Sequence, residues 1–184
     1  MALNNEKEIT KNIKILLLGS VKTGKTSFLM KIRGYEVDKN IEYFPTIAGA
    51  YASLIFEFEH KDFNLDFWDV SGQEKYYPLI QIYIKDANII FIFYNSYDIS
   101  SFEMAKRLVK QCKESINKKV FYVLVRSRYD ECLEINDNKN IVSDEEALEY
   151  ADLNNLYFMH YSNFDKSETG FNELMKIYIK NILN

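Results

Sequence analysis

Apolar runs of strand length alternate along this chain with stretches of helical spacing. Ile13–Leu18 is continuously apolar, and a helical pattern from about Thr26 to Arg33 follows a glycine at its end. Tyr51–Glu59 and Phe63–Val70 read as two strands joined by a short turn at His60-Lys61-Asp62. In the second of them Phe63, Leu65 and Phe67 alternate with Asn64, Asp66 and Trp68, the spacing of a strand buried on one face. Asn88–Tyr94 and Val120–Val125 are unbroken apolar runs, as in strands covered on both faces, and Leu156–His160 is a weaker one. Ser100-x-x-Glu103 and Ser143-x-x-Glu146 each fit a capping box ahead of a helix. Phe171, Leu174, Tyr178 and Ile182 recur at helical spacing and predict a last helix docked on the sheet.

Strands alternating with helices predict an α/β fold, a mostly parallel sheet with helices on both faces. The adjacent pair within Tyr51–Val70 adds one antiparallel edge strand. In such a sheet a ligand binds beyond the carboxyl ends of the strands. Residues 1–10 read as an extension ahead of a single domain over 11–184.

Composition narrows the class. The net charge of −4 gives no electrostatic case for nucleic acid or an anionic membrane. Two cysteines, Cys112 and Cys132, are too few for a disulfide framework in a chain of 184 residues and read as free thiols in a reducing cytosol. No apolar run approaches membrane-spanning length, and the N-terminus lacks a secretory signal. The second residue is Ala2 rather than Gly, and "KNILN" at the C-terminus has no prenylatable Cys.

The chemistry sits at two strand ends. After the first strand comes "GSVKTGKT", Gly19 to Thr26, matching G-x-x-x-x-G-K-[ST]. Backbone N–H groups of such a loop converge on an anion, Lys25 reaches the terminal phosphates, and the Thr26 hydroxyl meets Mg²⁺. The phosphate-binding set is Val21, Lys22, Thr23, Gly24, Lys25, Thr26 and Ser27, joined by Thr46 and Gly72. Strand Phe63–Val70 ends in "WDVSGQE". Asp69 can hold Mg²⁺ through water, Gly72 N–H can approach a γ-phosphate, and Gln73 can orient an attacking water. Thr46, in the irregular stretch Pro45-Thr46-Ile47, could complete the metal's shell.

With these motifs the chain resembles a Ras-superfamily small GTPase, and most closely the Rab branch. "WDVSGQEKYYPLIQIYIKDANIIFIFYNSYDISSF", Trp68–Phe102, follows the Rab pattern without a gap, and the resemblance covers about residues 11 to 182. It implies a P-loop NTPase fold of six strands and about five helices, with GTP or GDP and Mg²⁺ as ligands. It also implies two switch segments, roughly Lys39–Gly49 and Gly72–Ile82. By the same resemblance Tyr51, Trp68 and Tyr83 match the aromatic triad with which Rab proteins meet effectors. Exchange factors and GTPase-activating proteins would engage the switches of a monomer. Vesicle trafficking is the implied process, in the cytoplasm and at the cytosolic face of endomembranes. A Rab-like chain without a C-terminal Cys cannot be prenylated, so a membrane tail missing from this sequence is expected.

The resemblance also places "FYVLVRSRYDE", Phe121–Glu131, at the guanine site. Asp130 is retained and can accept from guanine N1–H and N2–H₂ together, which adenine cannot offer. Arg128 replaces a Lys and keeps the long stem. Ser127 replaces an Asn and is too short for all of its tethers, at a cost of about 1–3 kcal/mol, roughly 10- to 100-fold in affinity. Ser162, Asn163 and Phe164 occupy the second guanine loop, where the Asn163 N–H would meet the guanine oxygen. The aromatic covering the base stays open among Tyr35, Tyr43 and Phe44, because the first switch is about two residues longer than the Rab norm. Val21 and Lys22 stand where relatives carry small residues, and Val21 is expected to crowd the attacking water and slow hydrolysis. No cis arginine finger is apparent in the sequence. The alternatives are a pseudo-GTPase serving as an interaction module and a nucleoside-phosphate kinase of another P-loop class.

Overall fold

The computed structural model describes residues 9–36, 46–127, 142–162 and 169–183. Among them, six strands form one sheet: β1 (Ile9–Gly19), β2 (Gly49–Phe58), β3 (Lys61–Val70), β4 (Ile89–Asn95), β5 (Phe121–Ser127) and β6 (Tyr157–Tyr161). Their order is β2-β3-β1-β4-β5-β6. All neighbouring pairs are parallel except β2 with β3, which makes β2 the antiparallel edge. Five α-helices accompany them: α1 (Lys25–Ile32), α2 (Tyr77–Tyr83), α3 (Ile99–Ser115), α4 (Asp144–Leu153) and α5 (Thr169–Leu183). The expected α/β class, strand set and edge pairing are all present.

The period-two alternation of the strands divides the interior into two layers. Ile13, Ile15 and Leu17 of β1 face the same side as Phe63, Leu65 and Phe67 of β3, where Phe28 of α1 and Phe171, Leu174 and Tyr178 of α5 cover them. Leu16 and Leu18 face the other side, against Ile80 of α2, Phe102 and Leu108 of α3 and Ala147 and Ala151 of α4. Phe28 is the hub of the first layer. Its ring meets Phe91, Phe93, Tyr161 and Phe171 at centroid distances of 5.5, 5.3, 5.1 and 5.8 Å. That cluster fixes α1, and so the loop ahead of it, against the sheet.

Two local expectations are corrected. The cap of α3 is Asp98, whose side chain accepts from Ser100 N and Ser101 N, so Ser100 lies inside the first turn. A carboxylate two residues earlier outcompetes the hydroxyl because it accepts two amides and carries full charge at the positive helix end. Ser143 does cap α4, accepting from Glu146 N. The β2–β3 turn is Glu59-His60, one residue earlier than the sequence suggested, with Phe58 paired to Lys61. Both turn residues have positive φ, 50° and 61°. A two-residue hairpin whose strands twist together demands that conformation, which neither side chain favours.

One buried charge closes the far end of the sheet. Arg126, on β5, is 3% exposed. Its guanidinium donates to the Asp144 carboxylate at the start of α4 and to the Val142 carbonyl at 3.1 Å. Val142 N donates to Ser96 O at 2.9 Å, so the chain rejoining the described structure at residue 142 is fastened to β4 and β5 together.

Replacing Glu59-His60 by Asn-Gly supplies residues suited to positive φ. The double substitution is expected to raise stability by about 1 kcal/mol, seen as a rise in Tm of roughly 2–4 °C.

Candidate functional site

The carboxyl ends of β1 and β3 lie side by side, with Leu17 paired to Asp69. Everything beyond them converges on one place. The loop after β1 turns through Lys22 at φ 63° and Gly24 at φ 85°, and α1 begins at Lys25. Thr23 is buried and braces the loop by donating to the Ser20 carbonyl at 2.8 Å. Lys25 is 5% exposed, and its ammonium donates to Gly19 O at 2.9 Å and Ser20 O at 2.7 Å. Burial pulls its pKa down to about 8, against a smaller upward pull from the Asp69 charge.

Asp69 is fully buried at the end of β3. Its Oδ2 accepts from Thr26 Oγ1 at 2.6 Å and from Thr46 Oγ1 at 3.1 Å. The two hydroxyl oxygens stand 3.1 Å apart. Its Oδ1 is buried and has no hydrogen-bond partner among the described residues. Desolvation raises the carboxyl pKa, with the Thr26 bond, the Lys25 charge and the Thr46 bond opposing it in that order. One carboxylate and two hydroxyls within hydrogen-bonding distance form a hard-oxygen set suited to a small divalent cation, with a carboxylate oxygen still to be satisfied. The described residues hold no cluster of three or more His, Cys, Asp or Glu that would suit a metal.

Gly72 closes the site from the β3 side. A Cβ there would meet Ser20 C and Val21 N at 2.5 Å and Gly19 O at 2.6 Å, so backbone packs on backbone and no side chain fits. Gln73 follows, half-buried in an open groove of about 530 Å³ lined also by Ser20, Val21, Tyr77 and Arg107. At the base end, Ser127 is buried at the end of β5, and its hydroxyl donates to the Tyr94 carbonyl at 2.8 Å. It comes no closer to the loop than van der Waals contact, 3.6 Å from its Cβ to a Cβ built on Gly24. Arg128, Asp130, Asn163 and Phe164 lie outside the described residues, as do Tyr43, Phe44 and Cys132.

The sequence model of the Ras family matches residues 14–184. The chain belongs to the Ras family. It is 30% identical over 181 residues to Ras-related protein Rab-21 of Geodia cydonium, covering 98% of this chain and 75% of that protein. It is 29% identical over 184 residues to Ras-related protein Rab5A of Oryza sativa subsp. japonica, covering 100% and 85%. Against Ras-related protein RABF2a of Arabidopsis thaliana the identity is 31% over 163 residues, covering 88% and 76%. This is a Rab-like small GTPase, and its six-stranded mixed sheet is the small-GTPase fold.

In this Ras-family chain the three aromatics singled out in the sequence do meet on one surface. Tyr51 of β2 and Trp68 of β3 are register partners with ring centroids 5.2 Å apart, and Trp68 lies 5.7 Å from Tyr83 of α2. Tyr51 is 56% exposed and donates to Asp66 Oδ1 at 2.5 Å. Lys14, with its ammonium 5.6 Å from the Trp68 ring, completes a shallow cavity of about 420 Å³. Behind the patch, a Cβ built on Gly49 would stand 3.1 Å from the Tyr83 hydroxyl. Tyr35 is 53% exposed with the Arg33 guanidinium 5.2 Å from its ring, an arrangement that does not choose among the three aromatics named for the base.

Sequence reasoning missed three contributors. Tyr77 reaches the Gly72 carbonyl at 3.4 Å, Arg126 anchors the chain beyond the base strand, and Lys31 ties α1 to Ser162 O at 2.8 Å. Only Arg126 carried a signal, a cation inside an otherwise apolar strand run.

The lowered pKa of Lys25 sets a pH test with a definite sign. Below about 8 the amine already carries the charge a phosphate requires, so affinity is flat. Above about 8 binding must also take up a proton, and the affinity for a diphosphate nucleotide is expected to fall by up to about tenfold per pH unit. Titrations of a fluorescent nucleotide between neutral and alkaline pH measure it, and a flat profile above 8 would contradict the assignment.

Proposed function

We propose that this chain is a guanine-nucleotide switch that binds GTP and GDP with Mg²⁺, hydrolyses GTP slowly, and recruits effectors in vesicle trafficking when loaded with GTP. The observation that carries the reading is the Asp69–Thr26–Thr46 constellation beside the buried Lys25. Thr26, Thr46 and Asp69, the last through water, would hold Mg²⁺, which supplies charge neutralisation at the phosphates when bound.

The remaining work falls to the chain's own groups. Lys25 trades its two carbonyl partners for phosphate oxygens, so its charge is already in place for the charge that develops during transfer. Gly72 presents a backbone N–H beside the phosphate loop without side-chain obstruction. Gln73 orients the attacking water. Val21, on the wall of the same groove, narrows the space for that water and for an arginine brought by an activating protein. Turnover is slow for that reason. Asp130 selects guanine, helped by Arg128, and the Asn163 N–H meets the guanine oxygen with Ser162 and Phe164 beside it.

The exposed Tyr51, Trp68 and Tyr83 present the surface an effector would cover, rimmed by the two switches. Exchange and activating proteins act on the same segments of a monomeric chain. The protein works in the cytoplasm and at endomembranes, where a lipidated tail in the full-length protein would hold it. Among the described residues no helix is long and apolar enough to cross a membrane.

Identifying the nucleotide that co-purifies, by heat release and chromatography, tests the function directly. GDP or GTP is expected. An empty pocket would point instead to a pseudo-GTPase, and an adenine nucleotide would overturn the base assignment. For the slow step, Val21→Gly is expected to speed single-turnover GTP hydrolysis. An unchanged rate would remove crowding by Val21 as its cause.

A further inference from the structure

Ser127 leaves the base end of this GTPase short of a fastening. Its hydroxyl serves the Tyr94 carbonyl, and its own carbonyl accepts from Ser96 Oγ at 2.7 Å. Those bonds tie β5 to β4 and leave only van der Waals contact with Gly24 at the start of α1. A connection between the phosphate helix and the base end exists elsewhere. Lys31, in the last turn of α1, donates from Nζ to the Ser162 carbonyl at 2.8 Å, across 131 positions of sequence. The ammonium also stands 5.5 Å from the centre of the Tyr161 ring, whose edge meets Phe28 of the same helix at 5.1 Å. An aromatic contact and a charge-assisted hydrogen bond thus join α1 to the carboxyl end of β6.

The acceptor is well chosen for a purpose beyond packing. The Ser162 carbonyl and the Asn163 N–H belong to one planar peptide unit. A bond that fixes the carbonyl therefore fixes the direction of the N–H, and a cation on the oxygen polarises the same unit and makes its N–H a better donor. We propose that Lys31 is a positioning residue for guanine recognition, making from α1 the tether that Ser127 is too short to make. The inference rests on the proposed GTP and GDP binding.

The test compares the parent chain with Lys31→Met, which keeps the stem and loses the donor, and Lys31→Arg, which keeps a donor. Two probes are used: GDP, and the diphosphate of 2-aminopurine riboside, which lacks the 6-oxygen that the Asn163 N–H would meet. GDP release is expected to quicken roughly tenfold in K31M and to stay near the parent rate in K31R. The preference for GDP over the 2-aminopurine probe is expected to shrink in K31M, and adding Ser127→Asn to K31M is expected to restore slow release. Unchanged GDP release in K31M would overturn the proposal. Equal weakening toward both probes would overturn it too, because it would mark Lys31 as a general support of the fold. Should K31M fail to fold, Lys31→Gln is read by the same two measurements. Failure of the parent chain itself to bind GDP would overturn the proposed function and this inference with it, and the parent's own titration separates that result from the others.

Discussion

A carboxylate with no exposure to water must gather partners, and Asp69 gathers them from three parts of the chain. Thr26 comes from α1, Thr46 from the segment leading into β2, and Asp69 itself from β3. None of the three could meet unless β3 lay beside β1 in the sheet, as the parallel pairing of Leu17 with Asp69 requires. The cost of burying the charge is met only in part by two hydroxyls and the nearby Lys25, and one oxygen is left without a partner among the described residues. A folded protein that keeps so expensive an arrangement is organised around the ligand that completes it. The fit of Gly72 against Ser20 and Val21 follows from the same geometry, since two strand ends brought so close leave no room between their loops.

The two ends of the site are built on different physics. At the phosphate end the donors are backbone groups and one desolvated ammonium, all fixed by burial and short loops. At the base end the parts lie on separate strands and must be held in common register by side chains. Ser127, Lys31 and Arg126 are those side chains, and each acts on a different neighbour: β4, β6 and α4. Substitutions at the phosphate end therefore act on charge, whereas those at the base end act on alignment.

How much of this could be read in the sequence follows from how local each cause is. The strands were legible because burial on one or two faces writes itself into the period of apolar residues, as in Phe63, Leu65 and Phe67. The phosphate loop was legible because its chemistry needs fixed residue types at fixed spacing. The turn at Glu59-His60 was misplaced because its residues do not favour the positive φ that strand twist imposes on them. Asp98 was passed over as a cap because a capping-box match two residues later looked complete in sequence. Lys31 gave no sign at all, since the carbonyl it meets is remote in sequence and any residue could have supplied it.

Gly49 and Tyr83 bear on how the molecule could transmit a signal. The glycine begins β2, directly after one of the two switch segments, and the tyrosine ends α2, directly after the other, with no space for a side chain between them. Parts in such close contact behave as a bearing rather than as two springs. A shift in the backbone at residue 49 has to displace the Tyr83 ring, and the ring in turn carries Trp68 and Tyr51 on its far side. A movement begun at the phosphate would then be delivered, without slack, to the aromatic face of the molecule.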